Sequence, residues 1–446
     1  MSRIRGLVAA LALVPALLTA CGAKDDAPPH PGAPSPAGSP LVEVPQDAPT
    51  IQEAVDRVAP GGMVLVSPGT YHESVVVATE DVTVRGTDRA GVIIDGDGIR
   101  PHGVVGIADG VRIQNLTVQR TTFYGVLVTG LHDGDGPRAN TDGSGYENFD
   151  PEKFPPLQRF QVDHVTAANN GLYGIYAFNA QHGVIRDNYA SGSADSGFYV
   201  GQCHACDILV TGNVAERNAV GFENANASTP LMVVGNRFSS NRVGMTFLSD
   251  YQEAFIPQTG DVIAGNLVVD NNEATSPAQA DGGFGIGIGI SGGTDNRFVR
   301  NRVEGHRRAG ISIASSSDLP ALRNTLTGNA YAGNAIDFAD ISSARVLGTG
   351  NCPEPGTTTL PTGLSTAGAG CTAQTAGRAV APEQVARLAA APPGMSFLEV
   401  PLPTALPGLT DVTTAPQPLP EGPTMPDLAS VKVPSRSLLS AWVMVR

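Results

Sequence analysis

A short unit recurs along the middle of this 446-residue chain. In Asn213…Gly221, Asn236…Gly244, Asn301…Gly310 and Asn324…Gly333, apolar residues precede an Asn, a polar bend follows, and a Gly opens a short apolar stretch. Asn188…Gly197 shows the same layout, and Asn115…Gly125 a looser one. The Gly-to-Gly steps are 23 (174→197), 24 (197→221), 23 (221→244), 25 (285→310) and 23 (310→333), with one step of 41 (244→285) that contains an insertion. A unit this short holds two or three strands and their turns, and it cannot bury its apolar face alone. Stacked units can, with strands pairing in parallel about 4.8 Å apart. Asn suits the bend because it tolerates the left-handed region and its amide can bond to neighbouring coils. The framework of leucine-rich repeats is missing, and a propeller blade needs about 40 residues. The expected fold is all-β: a right-handed parallel β-helix, a single-stranded solenoid of roughly ten coils.

Composition agrees. With 53 Gly, 35 Pro and 5% aromatics the chain does not suit a helical bundle, while 41% hydrophobic residues supply a core. One helix is expected. Thr50-Ile51-Gln52-Glu53 reads as a capping box, Ile51, Ala54, Val55 and Val58 form a stripe, and Pro60-Gly61-Gly62 stops it. This helix would cover the open first coil, as solenoid ends require. Strands are expected at 63–66, 71–77, 82–85 and 92–94.

The stretch TIQEAVDRVAPGGMVLVSPGTYHESVVV, followed by VTVRGTDRAGVIIDG, resembles the opening segment of pectate-lyase-like β-helix proteins. The later coils are similar to the parallel β-helix repeats of the nitrous-oxide-reductase accessory type, so the resemblance covers about residues 41–340. It implies binding or cleavage of acidic polysaccharides by lyases, hydrolases or epimerases. The Gly-His-Gly and Arg-Ile-Lys segments of pectin hydrolases and the Asp-Pro-His of alginate epimerases are not found in the sequence, and Asp163-His164 matches the Asp-His pair of pectate lyases only as a dipeptide.

The remaining segments set the boundaries. Residues 1–20 read as a secretory signal: Arg3 and Arg5, then an apolar run from Leu7 to Leu18 too short to span a bilayer. Leu18-Thr19-Ala20-Cys21 resembles the bacterial lipobox, which implies lipidation of Cys21 and a membrane-anchored protein on the extracytoplasmic side of a bacterial envelope. Residues 21–40 form a Pro-rich stalk, 41–345 the β-helix, and 346–446 a disulfide loop and a tail with eleven Pro in positions 382–426. The tail can hang free or lie along the solenoid, with 438–445 docking as a last strand. Cys203–Cys206 and Cys352–Cys371 are the disulfide pairs expected in an oxidising compartment. A net charge of −14 with no Lys/Arg run excludes nucleic acid as a partner. Arginine outnumbers lysine 25 to 3, read as the imprint of a GC-rich genome.

Candidate chemistry concentrates in residues 173–226. In YGIYAF, SGFYVGQ and VGFEN the second residue after Gly is Tyr176, Tyr199 or Glu223. With Ile175, Phe198 and Phe222 pointing inward, strand alternation stacks these three on the outer face. Later coils place Thr246, Gly287, Ser312 and Ala335 there. Tyr173, Gln202, Asn224 and Asn226 join them as candidate substrate-binding residues, and Asp195 joins Tyr176, Tyr199 and Glu223 as a catalytic candidate. Aromatic faces beside carboxyl and amide groups suit a sugar. So acidic a chain favours neutral sugars, or a bound cation. The plain alternative is an outward ladder of cross-strand contacts.

Cys203-His204-Ala205-Cys206 reads as a turn disulfide, a redox pair, or half of a metal site completed by His204, His182 or His164. Asp133-Gly134-Asp135-Gly136 offers Asp133 and Asp135 to calcium, although Asp-Gly is also turn chemistry. Two insertions, 131–160 and 249–283 (with Asp250, Glu253, Glu273 and Asp281), are expected to wall a groove. The reading is a surface-anchored lipoprotein that binds or modifies polysaccharide, as a lyase, epimerase or glycoside hydrolase if an enzyme. A metal-handling accessory protein and a structural or adhesion solenoid are the alternatives.

Overall fold

Apolar residues at every second position dictate how the coils stack. In the computed structural model, which describes residues 38–133, 137, 150–279, 282–364, 366 and 391–444, each coil gives one strand to each of three parallel sheets. The first sheet runs from Ser39–Val44 to Thr325–Thr327 in 11 strands, the second from Gly69–Tyr71 to Ala330–Ala332 in 10, and the third from Val75–Val77 to Thr359–Leu360 in 11. Five strands of the third sheet carry the site: β1 (Tyr124–Thr129), β2 (Ile175–Phe178), β3 (Ser196–Cys203), β4 (Val220–Ala227) and β5 (Val243–Leu248). Their inward residues Val126, Ile175, Phe198, Phe222 and Met245 lie in register and are fully buried. Each such side chain contributes about 1.5–3 kcal/mol on burial. The signal segment, Cys21, Asp135 and Cys371 lie outside the described residues.

The helix forms at Ile51–Arg57 and its stripe residues Ile51, Ala54 and Val55 are buried. Only half of the expected capping box is made. Thr50 Oγ1 accepts from the Glu53 amide at 3.1 Å, but the Glu53 carboxylate takes Arg57 instead of reaching back. Glu73 supplies the missing cap, accepting from the amides of Ile51 (3.1 Å) and Gln52 (3.0 Å). The strand expected over 71–77 is accordingly split at this corner into Gly69–Tyr71 and Val75–Val77.

Asparagines hold the corners in three buried ladders. Asn188, Asn213, Asn236, Asn266, Asn301 and Asn329 each donate a side-chain amide to the next at 3.0 Å, and Glu354 closes the row at 2.9 Å. A second row runs Asn218, Asn241, Asn271, His306, Asn334, and a third Asn296, Asn324, Asn351. Asn301 and Asn324, alike in sequence layout, therefore stand at different corners. The long step likewise ends at Gly287, not Gly285: a Cβ on Gly244 would lie 2.5 Å from Gly287 O, and one on Gly287 2.4 Å from Gly310 O. Asp337, not Gly333, follows Gly310. The outer row thus continues through Thr246, Gly289, Ser312 and Ala339, correcting Gly287 and Ala335.

The tail lies along the solenoid. Proline has no N–H, so a Pro-rich segment offers carbonyls with few donors of its own. Guanidinium groups meet them. Arg85 donates to Val412 O and Thr414 O, Arg89 to Pro407 O, Arg112 to Gln417 O, Arg237 to Arg436 O and Leu438 O, Arg242 to Pro392 O and Pro393 O, Arg300 to Leu428 O and Val431 O, and Arg302 to Pro434 O. Met425, Leu428 and Val431 pack on the apolar outer patch of Leu209, Met232, Val234, Ala264 and Val299. Seven arginines are thus structural, which genome composition alone does not explain. Among the described residues no last strand forms at the C-terminus: Ser440–Trp442 is a 3-10 turn, and Trp442 lies under the Arg89 guanidinium at 5.0 Å. Among the described residues no helix is long and apolar enough to cross a membrane.

Candidate functional site

Strand alternation turns Leu127, Tyr176, Tyr199, Glu223 and Thr246 outward in one row, each paired in register with the next. Beside this row stands a second set of rings. Tyr124 and Tyr173 precede the glycines that open β1 and the β2 segment, and they stack at 5.7 Å with 6° between planes. Tyr173 then meets Tyr176 at 4.7 Å and Tyr199 at 4.5 Å, and Tyr176 meets Tyr199 edge-on at 4.8 Å. The result is an aromatic wall with staggered rings. His102 extends it, stacked on Tyr124 at 5.2 Å, and Phe123 beside it is 49% exposed.

The wall backs a cavity of about 370 Å³. Its other side comes from the insertions: Leu131 and Pro137 from one, Asp250, Gln252, Glu253 and Gln279 from the other. Half of the first insertion (134–136 and 138–149), and Asp281 of the second, lie outside the described residues.

Carboxyl groups close the C-terminal end. Asp195 and Glu223 are brought together by two side chains that bond to both. Ser196 Oγ donates to both, and Gln279 Nε2 bridges them from the insertion. Burial, then the Asp195 charge, holds the Glu223 carboxyl well above its usual range. Glu253 accepts from the Tyr199 hydroxyl and is pushed up to about 8, chiefly by burial. Burial also lifts the phenols of Tyr173, Tyr176 and Tyr199 well above 10 and drops His102 to about 4. At neutral pH the wall is uncharged. The described lining holds four carboxyl groups and no Arg, Lys or His.

Of the sequence candidates, Tyr173, Tyr176, Tyr199, Asp195 and Glu223 come together around this cavity. Gln202, Asn224 and Asn226 do not line it. Asn224 has the parity of Phe222 and points inward, donating to Asp261 and Ala227 O. Asn226 ties down a loop through Asp250 and Glu253, and Gln202 Oε1 accepts from the amide of Ala254. Sequence reasoning missed Tyr124 and the cavity-facing roles of Glu253 and Gln279. A repeated signal marks Tyr124: Tyr-Gly occurs at 124–125 and again at 173–174.

The metal and redox readings of 203–206 meet a different arrangement. Cys203 and Cys206 form a disulfide, and both are buried. His164 bonds Asp163 at 2.9 Å, His182 bonds Asp207 at 2.8 Å, and His204 faces the Phe255 ring at 6.2 Å. Among the described residues no three His, Cys, Asp or Glu side chains converge as metal ligands. Cys352–Cys371 and the calcium pair each involve a residue outside the described ones.

Residues 70–256 match the family described as the right handed beta helix region. The fold is a right-handed parallel β-helix. Similar solved structures include the A-module of the mannuronan C-5 epimerase AlgE6 of Azotobacter vinelandii, at 16% identity and TM-score 0.45 over 68% of this chain and 84% of that one. The pectate lyase Pel9A matches at 15% and 0.36, over 72% and 76%. DFA-IIIase of Arthrobacter chlorophenolicus in complex with GF2 matches at 14% and 0.42, over 72% and 92%. No curated protein matches this chain in sequence.

Proposed function

We propose that this β-helix binds a neutral polysaccharide against the wall of Tyr124, Tyr173, Tyr176 and Tyr199 and hydrolyses it by acid–base chemistry. The observation that carries the reading is the carboxyl pair Asp195–Glu223, joined through Ser196 and Gln279 at the end of that wall. Aromatic faces take the apolar faces of sugar rings, and a carboxyl pair sharing one proton supplies both a donor and an acceptor. With no Arg, Lys or His among the described lining residues, a uronate would find no counter-charge in the cavity, which disfavours a lyase or epimerase and favours a glycoside hydrolase. A glycan array containing neutral and acidic chains tests this. Saturable binding to neutral chains, lost in Tyr176→Ala/Tyr199→Ala, supports it; binding confined to acidic chains sinks it.

The same proposal places the protein outside the cytoplasm, held to the membrane by lipid on Cys21. Leu18-Thr19-Ala20-Cys21 supports this part. Mass spectrometry of the mature N-terminal peptide tests it: an unmodified Cys21, or a chain still carrying residues 1–20, overturns the anchor.

A further inference from the structure

The insertion after β5 carries two more carboxyl groups to the cavity, Asp250 and Glu253, and the solenoid holds their segment rigidly. Asn226 Nδ2 donates to the backbone carbonyls of Asp250 (2.6 Å) and Glu253 (2.9 Å), while its Oδ1 accepts from the Asp250 amide at 2.9 Å. Gln202 Oε1 accepts from the Ala254 amide at 3.1 Å. Both side chains come from β3 and β4, the strands that carry Tyr199 and Glu223. Glu253 is therefore fixed relative to the aromatic wall although its own segment has no regular structure.

One oxygen of Glu253 is satisfied and the other is not. The Tyr199 hydroxyl donates to Oε1, whereas Oε2 is buried without a hydrogen-bond partner. The space it occupies exists because residue 201 is glycine: a Cβ there would stand 2.9 Å from Oε2 and 2.4 Å from Tyr199 Cε1. A bare anionic oxygen in that position is costly. An O–H is not, and it seeks an acceptor. A glycosidic or hydroxyl oxygen of a sugar lying on the tyrosines is one.

We propose that Glu253 is the proton donor to the departing glycosidic oxygen, with Asp195–Glu223 serving as the base. This rests on the reading of the cavity as a glycoside-hydrolysing site. The Glu253 O–H proton passes to the bridging oxygen as the bond from C1 to that oxygen breaks. The Asp195–Glu223 pair takes a proton from water as the water oxygen bonds to C1. Exchange with solvent returns the pair and Glu253 to their starting states, so one water is consumed per link cut. The groups facing Glu253 agree with the assignment. Burial, and then Asp250, raises its proton affinity, and the Tyr199 hydroxyl is the chief group that opposes them. Tyr124, Tyr173 and Tyr176 are neutral, and Asp195 and Glu223 add negative charge.

The test compares leaving groups. Wild type and Glu253→Gln are assayed on neutral oligosaccharides selected by the glycan array and on their 2,4-dinitrophenyl glycosides, whose leaving group needs no proton. The expected result is a loss of roughly 100-fold or more in kcat on the unmodified chains and less than about 10-fold on the dinitrophenyl ones, with the alkaline limb of the pH profile removed. Equal loss on both series overturns the assignment while leaving the hydrolase reading in place. A wild-type protein that cuts neither series overturns the hydrolase reading, and the Glu253 role falls with it. Asn226→Ala, which frees the loop, is expected to reproduce the leaving-group pattern more weakly; unchanged ratios there count against rigid positioning.

Discussion

Asn271 donates its side-chain amide to Nε2 of His306 across 3.2 Å, and His306 Nδ1 meets Asn334 Oδ1 at 2.9 Å. A neutral imidazole with its proton on Nδ1 thus accepts from one coil and donates to the next, as the ladder asparagines do. A second proton on His306 would set donor against donor.

Burial drops His306 to about 4, below an unfolded value of about 6.5, so its contribution is present above pH 6.5 and lost as pH falls toward 4. His306→Asn is expected to keep the melting temperature at pH 7 and flatten the acid limb of a stability–pH curve. His306→Ala is expected to cost about 1–3 kcal/mol at pH 7 by stranding Asn271 and Asn334. Because His102 is also lowered to about 4, the acid limb should shrink in His306→Asn but persist. An unchanged limb would show that His306 carries no such load.

The opposite limb belongs to the cavity. Glu253 lies at about 8 in the fold against 4.5 unfolded, so its contribution is present below pH 4.5 and lost as pH rises toward 8, by up to about 1.4 kcal/mol per pH unit. Glu223 is raised as well and adds to the same slope. Urea midpoints of Glu253→Gln measured from pH 5 to 8 should fall less steeply than those of the wild type.

Gly201→Ala tests the close approach at the site. The added methyl must displace a tyrosine ring and a carboxyl oxygen. Overpacking of this kind costs about 1–3 kcal/mol. Calorimetry should show the loss, and Gly201→Ala/Glu253→Ala should recover part of it by clearing the oxygen.

Arg89 is 1% exposed and serves three acceptors: Thr166 Oγ1 at 3.0 Å, Val165 O at 2.9 Å and Pro407 O at 2.9 Å. Arg89→Ala strands all three and is expected to cost about 2–4 kcal/mol. Arg89→Lys should fail to restore it, since an ammonium cannot span the fork. Limited proteolysis should cut within 391–444 sooner in both variants; equal cutting rates would remove Arg89 from the tail's anchorage.

The outer row was legible because strand parity is absolute: Ile175, Phe198 and Phe222 inward force Tyr176, Tyr199 and Glu223 outward. The same parity was missed at Asn224, where a polar residue suggested an exposed one although its position is even with Phe222. Gln202 and Asn226 sit where a strand meets a loop and hold that loop instead of a ligand. Glu253 and Gln279 lie in an insertion with no period, so no register could place them. Asn324 and Gly285 show the cost of counting from one residue type when several corners of a coil use it.

Because the arginines grip main-chain oxygens, the tail is held by atoms that every residue possesses. Many of its side chains are then free to drift, provided prolines keep it extended, Met425, Leu428 and Val431 stay apolar, and Val400, Arg436 and Trp442 keep their contacts. Arg85, Arg112, Arg237, Arg300 and Arg302 have no such latitude. A segment fastened this way leaves its record in the surface beneath it, and that row of arginines would betray the tail even where the tail's own letters had become unrecognisable.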